Sequence, residues 1–493
     1  MLLALVIVYL LVTIAIGLMA ARRVKNTADF AIAGRHLPLV MIITTTVAPW
    51  FGSETVLGIP AKFVNSGLNG VVEDPFGAGT CLVLVGLFFA SKLYKKNLLT
   101  ISDYYRERYG RIVELLCSLM IMVSYLGWVS AQVTALGVVF NVLSDGVLSV
   151  PQGMVIGVIS ILAYTLFGGM WSVAVTDFMQ MIILVGGLAI LAVFAGHQAG
   201  GASLVIAHAV ERDMFNFLPE ANFKAIAFFI GTGITMMLGS IPQQDVFQRV
   251  MSADSEYSAT RGPIIGGLCY IVFAFVPMFL VVSALLVMPE RAEQLLLDDP
   301  QKILPTLVME RMPFVMQVLF FGALLSAIKS CASATLLAPS VTFTENIWRQ
   351  IRPFEGDKAE LKAMRITVLV FSALVLAYAI AMQGTSIYEL VSGAYQVTLV
   401  GAFIPLVCGL YWQRATTQGA VFSIVLGVLS WGFFLATPAG KEFPAQLVGL
   451  LGAAAGMLVG SYGPQVIKNS AGRHFSLPSD SPKRDSEELT RAA

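Results

Sequence analysis

The side chains that could do chemistry are few, and they stand where polar groups are costly. Glu54 lies in the middle of residues 42–64, an apolar stretch long enough to cross a bilayer yet interrupted by Pro49, Gly52, Gly58 and Pro60. A charge at mid-bilayer costs about 2.5–3.5 kcal/mol on insertion scales, so it normally faces a polar path or a partner. Glycine and proline flanking a carboxylate break a helix, and backbone freed at that depth is tolerated only against protein or water. Broken helices near the midplane are where many transporters bind ions and solutes. Residues 42–64 therefore read as the core of a binding site.

Other groups converge on it. Trp50 and Ser53 lie at the break, Trp128 and Gln132 sit one turn apart in the span 111–141, and Asp74 precedes Pro75. Gln243, Gln244 and Asp245 follow Gly239-Ser240-Ile241-Pro242. Aromatic faces beside carboxylates suit an organic cation. Tryptophans also anchor spans at the interface; Trp171 reads that way, whereas Trp50 and Trp128 lie deeper. In the span 314–343, Ala327, Ser330, Cys331 and Ala334 share one helix face. Small faces let helices approach closely. The sharper reading is a cation site against the break, where oxygen ligands suit sodium and a cysteine sulfur does not. Lys329, at the centre of the same span, needs a counter-ion such as Glu54, Asp74 or Asp177. It reads either as half of a structural ion pair or as a positive charge that competes with, or replaces, a coupling cation.

These residues need membrane-spanning elements to position them. The 493-residue chain is 57% hydrophobic and 12% charged, with mean hydropathy +0.79, more apolar surface than a soluble protein of this length can bury. A net charge of +1 offers no basic surface for nucleic acid. The five cysteines fall in apolar spans, without CxxC pairs or His/Cys clusters. No nucleophile–base pair or phosphate loop marks an enzyme. About thirteen spans are readable, near 1–21, 38–64, 68–91, 111–141, 151–170, 172–196, 223–246, 262–288, 314–343, 366–383, 386–411, 417–436 and 444–462. The first lacks a basic segment before its apolar run and reads as a span, not a cleaved signal. Lys and Arg collect in the loops after spans 1, 3 and 9 and in the tail, which places the N-terminus outside and the C-terminus in the cytoplasm of an inner or plasma membrane protein. The organisation expected is a peripheral span at 1–21, a core at 38–411, two C-terminal spans at 417–462 and a short tail at 463–493, disordered over 476–493. Gly58-Ile59-Pro60 and Gly239-Ser240-Ile241-Pro242, five spans apart, suggest two inverted repeats with a site between them.

With these residues in hand, the chain resembles the sodium–solute symporter family over nearly all its length. The resemblance is carried by Asp29-Phe30 with Ala33-Gly34-Arg35, by Leu99-Thr100-Ile101-Ser102-Asp103-Tyr104, by the run from Tyr164-Thr165-Leu166-Phe167-Gly168-Gly169 through Trp171 and Asp177 to Gln180, and by Thr344-Glu345-Asn346-Ile347. It implies an all-α polytopic membrane protein of inverted five-helix repeats (spans 2–6 and 7–11), with spans 2 and 7 broken, working by alternating access. It also implies a sodium site made by the carbonyls of Ala48, Phe51 and Ala327 and the side chain of Ser330, with Cys331 where the family usually has a second hydroxyl. Lys329 replaces an apolar residue, and Asp177 is its preferred partner. Residues 241–250, with Trp50 and Trp128, are most similar to the choline-transporter branch, but Gln243 replaces a tryptophan and Ala78 a tyrosine. A small polar organic solute taken up with sodium is the implied function, with no other cofactor. The alternatives are a proton-coupled or ion-independent transporter in which Lys329 replaces the cation, and a transporter-like sensor. The solute and the oligomeric state are not readable.

Overall fold

The computed structural model describes residues 2–144 and 146–467. The tail read as disordered over 476–493 lies outside the described residues. The described chain is helical, with one isolated bridge joining Leu37 to Ala253.

Helix α1 (Leu2–Ala20) precedes the broken second span, which consists of α2 (Leu39–Val47), an irregular turn over residues 48–52, a π-helical turn (Glu54–Gly58) and α3 (Ile59–Gly70). The third span (Val72–Tyr94) contains α4 (Ala78–Leu84). A short α5 (Ile101–Tyr109) starts on a capping box formed by Thr100 and Asp103 and leads into α6 (Arg111–Leu143). Next comes α7 (Val150–Gln198), which opens with a Ser149/Gln152 capping box and a proline in its first turn. Then follow α8 (Phe223–Gly239), α9 (Gln244–Ser252), α10 (Glu256–Val287), α11 (Phe314–Phe343), α12 (Asp357–Ala381), α13 (Ile387–Thr398), α14 (Thr417–Ala436) and α15 (Ala445–Tyr462).

Among the described residues, ten helices are long and apolar enough to cross a membrane, or eleven if α8 and α9, bent by 44°, make one span. Thirteen is the sequence expectation, and the three expected spans outside the ten (38–64, 151–170 and 223–246) are each shortened or broken locally. The second span is broken into pieces too short to qualify. The expected spans 151–170 and 172–196 meet at a kink at Gly169 (φ 47°), where two helices join within α7; the apolar stretch Val150–Ala163 is too short to count as a span, whereas Thr165–Gln198 is long enough. A Cβ at Gly169 would lie 2.3 Å from the Phe30 carbonyl, so only glycine lets the N-terminal segment pass there. The second break coincides with Ser240–Ile241–Pro242, but Gly58-Ile59-Pro60 does not mark the first. Pro60 follows the π-helical turn, and the chain keeps helical geometry from Ser53 through Gly58 and Ile59 into α3, leaving it at residues 48–52 instead.

The apolar residues sort accordingly. Ile159, Val193 and Leu429 are exposed as a lipid-facing surface requires, while α11 is buried from Phe320 to Thr342. That helix is the axis of the molecule: α6, α7 and α12 pack around it, with α1 laid against α7 and α11 from outside.

Candidate functional site

The break in the second span exposes backbone that helix would otherwise satisfy. Pro49 has no N–H, and among the described residues no backbone N–H donates to the carbonyls of Ala48 or Phe51. The break is held from three sides. Gln132 Oε1 accepts the Ser53 N–H at 3.0 Å. Tyr270 reaches the Trp50 carbonyl at 3.3 Å and shares a 2.8 Å bond with Thr55. Gly52 packs so tightly that an added Cβ would lie 2.8 Å from Gln132 Oε1 and 3.0 Å from Cys331 Sγ. The small-residue face of α11 therefore meets the break.

One turn before the break, Thr45 donates to Asp177 at 2.7 Å, and Ser330 of α11 donates to the other oxygen of the same carboxyl group. Asp177 thus ties α2, α7 and α11 together. Because Ser330 spends its proton on Asp177, its lone pairs stay available to a cation. Arg249, buried, donates to the Thr45 carbonyl at 2.8 Å and to the Asp245 carbonyl at 2.7 Å. Its guanidinium also lies 3.9 Å from the Asp245 carboxylate, which accepts from Tyr125 at 2.6 Å. A continuous polar path so joins α9, α2, α7 and α11.

Above this lies an aromatic cluster. The Tyr395 ring is centred 6.2 Å from Trp50 and 5.2 Å from Trp128, and Trp128 stacks on Tyr125 at 5.8 Å. Tyr270 meets Trp50 edge-on at 6.3 Å. Asp74 accepts from Tyr270 at 2.6 Å, and Glu54, Glu73 and Asp74 lie within electrostatic range of one another. Gln243 joins the edge of this cluster through Ser124 (3.0 Å) and Thr398 (3.3 Å). A cavity of about 870 Å³, lined by Lys62, Ser66, Asn69, Glu73, Tyr388 and Ser392 among others, reaches Glu73 of these acids. At the opposite end, Asn346 donates to Asp103 at 2.8 Å and Glu114 at 2.9 Å, and Arg111 donates to the Asn346 carbonyl at 2.6 Å. Burial lifts the Asp103 carboxyl above its ordinary value, against the bonds from Thr100 and Asn346.

Trp50, Ser53, Glu54, Asp74, Trp128, Gln132 and Gln243 are thus brought together, as are Ala48, Phe51, Ser330, Cys331 and Asp177; Ala327 lies one helical turn from Cys331. Two expectations are corrected. Gln244 accepts the Ile101 N–H at 2.8 Å and donates to the Leu99 carbonyl at 3.4 Å, so it anchors the loop before α5 and does not line the aromatic cluster. Lys329 turns to α1, where it donates to Thr13 at 3.2 Å, and among the described residues no ion pair joins it to Asp177. Next to it, Tyr9 bonds Ser326. Sequence reasoning missed Thr45, Tyr125, Arg249, Tyr270 and Tyr395. The charge of Arg249 just past a helix break, and tyrosines deep inside apolar spans, were the available signals.

A helical bundle with two interrupted spans around buried polar groups defines a membrane transporter fold. The model of the sodium:solute symporter family matches residues 30–427, and the chain belongs to that family. It is 28% identical to the human high affinity choline transporter 1 (87% of this chain, 75% of that protein). It is also 28% identical to the high-affinity proline transporter PutP of Bacillus subtilis (84% and 89%), and 26% to the sodium/pantothenate symporter of Escherichia coli (85% and 88%). Its fold is similar to that of a Na+-coupled sialic acid symporter solved in a substrate-bound, outward-open state (TM-score 0.81, 20% identity, 94% of this chain and 98% of that one).

Proposed function

We propose that this chain takes up a small polar organic solute together with sodium, by alternating access. The observation that carries the reading is the meeting of the break with α11. There the unbonded carbonyls of Ala48 and Phe51 face a helix whose Ser330 hydroxyl is oriented by Asp177. Carbonyl and hydroxyl oxygens in a buried pocket suit a hard cation, and Ala327 would complete the set. The solute would sit beside it among Trp50, Trp128, Gln132 and Gln243, with Ser53, Glu54 and Asp74 as polar contacts. The choline, proline and pantothenate of the relatives' names are small polar organic compounds, which supports the substrate class. With the basic loops in the cytoplasm and the N-terminus outside, the cavity at Glu73 would open outward while the Asn346–Asp103–Glu114 network would close the cytoplasmic end. The bond from Lys329 to Thr13 speaks against a lysine that replaces the coupling cation.

The test is uptake into proteoliposomes of a solute identified by thermal-shift screening, under an imposed sodium gradient, a proton gradient or none. Sodium-driven accumulation is expected; uptake indifferent to every ion gradient would remove the symport reading.

A further inference from the structure

Beside the break, buried polar atoms of opposite kinds lack partners. Among the described residues, Glu54 Oε1 and Asp74 Oδ2 accept no hydrogen bond, while Gln132 Nε2, Ser53 Oγ and Trp50 Nε1 make none. Ser53, Asp74 and Gln132 are fully buried, and Glu54 and Trp50 are 4% exposed. They form one group: Gln132 holds the Ser53 N–H, Glu54 follows Ser53, and the Tyr270 hydroxyl that bonds Asp74 also reaches the Trp50 carbonyl. Buried polar atoms are ordinarily paired, so each orphan is a demand for a partner of the opposite kind.

We infer that the solute carries a protonated primary or secondary amine, bonded through its N–H groups to Glu54 and Asp74, together with an oxygen acceptor that faces Ser53 and Gln132. The inference rests on the transport function proposed above and narrows its substrate class. Carboxylate oxygens need donors. A quaternary ammonium has none; aromatic faces can attract it, but it would leave both buried acids without a donor. A bare metal ion fits less well, because among the described residues no three Asp, Glu, His or Cys side chains converge as a metal site does. An N–H donor group is larger and can bridge carboxyls set apart. Glu73, whose other oxygen accepts from Ser392 at 2.8 Å, lines the outer cavity and would meet the amine first. On the far side, the Gln132 amide and Ser53 hydroxyl can donate to a hydroxyl or carboxylate of the same molecule.

The test is N-methylation at constant skeleton. Binding of ethanolamine and its mono-, di- and trimethyl derivatives, and of glycine, sarcosine, dimethylglycine and glycine betaine, is measured on the purified full-length protein in sodium by calorimetry. In at least one series, affinity should fall at least tenfold from the primary amine to the quaternary end, and Glu54→Gln or Asp74→Asn should flatten that slope. Affinity that rises with methylation, a flat series in the wild type, or binding by no member would overturn the inference. Sodium binding on the same preparation is read separately, so its persistence would leave the symport proposal standing when the amine class fails.

Discussion

Ser330 and Lys329 are neighbours in sequence and serve different sides of α11. A helix turns about 100° per residue, which is enough to point Ser330 at Asp177 and Lys329 at Thr13 of α1. The sequence shows that a lysine is buried in an apolar span, but not its direction, because the phase of α11 relative to α1 depends on packing that no local pattern encodes. With its amine on α1, Lys329 acts on how α1 docks. Removing a buried donor leaves the groups that it bonds unsatisfied, which costs stability. Lys329→Met should therefore change half-saturating sodium less than about twofold, while thermal stability falls. Sodium titration of uptake and a melting curve check both. A large shift in sodium dependence would return the lysine to the coupling machinery.

At the scale of elements, the second span was readable as broken, since Pro49 and Gly52 cannot both sit in continuous helix around Glu54. The place of the break was not readable. Pro60 lies in helix beyond the break, whereas Gly52 matters because Gln132 and Cys331 approach it so closely that a side chain would have to displace them. Gly52→Val should push α11 away from the break and lower transport at least tenfold with expression retained. Surface expression measured beside uptake separates this from misfolding, and near-normal uptake would show that the close approach is dispensable. The tyrosines that complete the site, Tyr270 from α10 and Tyr395 from α13, escaped because each stands alone in an apolar run. Only the fold brings them to Trp50.

Across the whole molecule, the local motifs prove to be contacts between distant segments. Phe30 packs on the Gly169 kink, and Asn346 bonds Asp103, so four motifs that look separate in sequence make two junctions. That explains why fold class was legible from short runs of residues, while the contacts between them were not. Counting spans depends on where helices bend, and bends here come from tertiary crowding at Gly169 and from unwound backbone at residues 48–52. The same arrangement leaves a cavity at Glu73 and a bonded network at the other end, the asymmetry that alternating access requires. All of it turns on whether the pocket formed by the break and Ser330 holds a cation. Equilibrium binding of radiolabelled sodium to the purified protein measures this without knowledge of the solute. The account predicts saturable binding that weakens about tenfold or more in Ser330→Ala, as loss of one ligand worth about 1.4 kcal/mol would give. Binding that is absent in the wild type, or unchanged in Ser330→Ala, would contradict it.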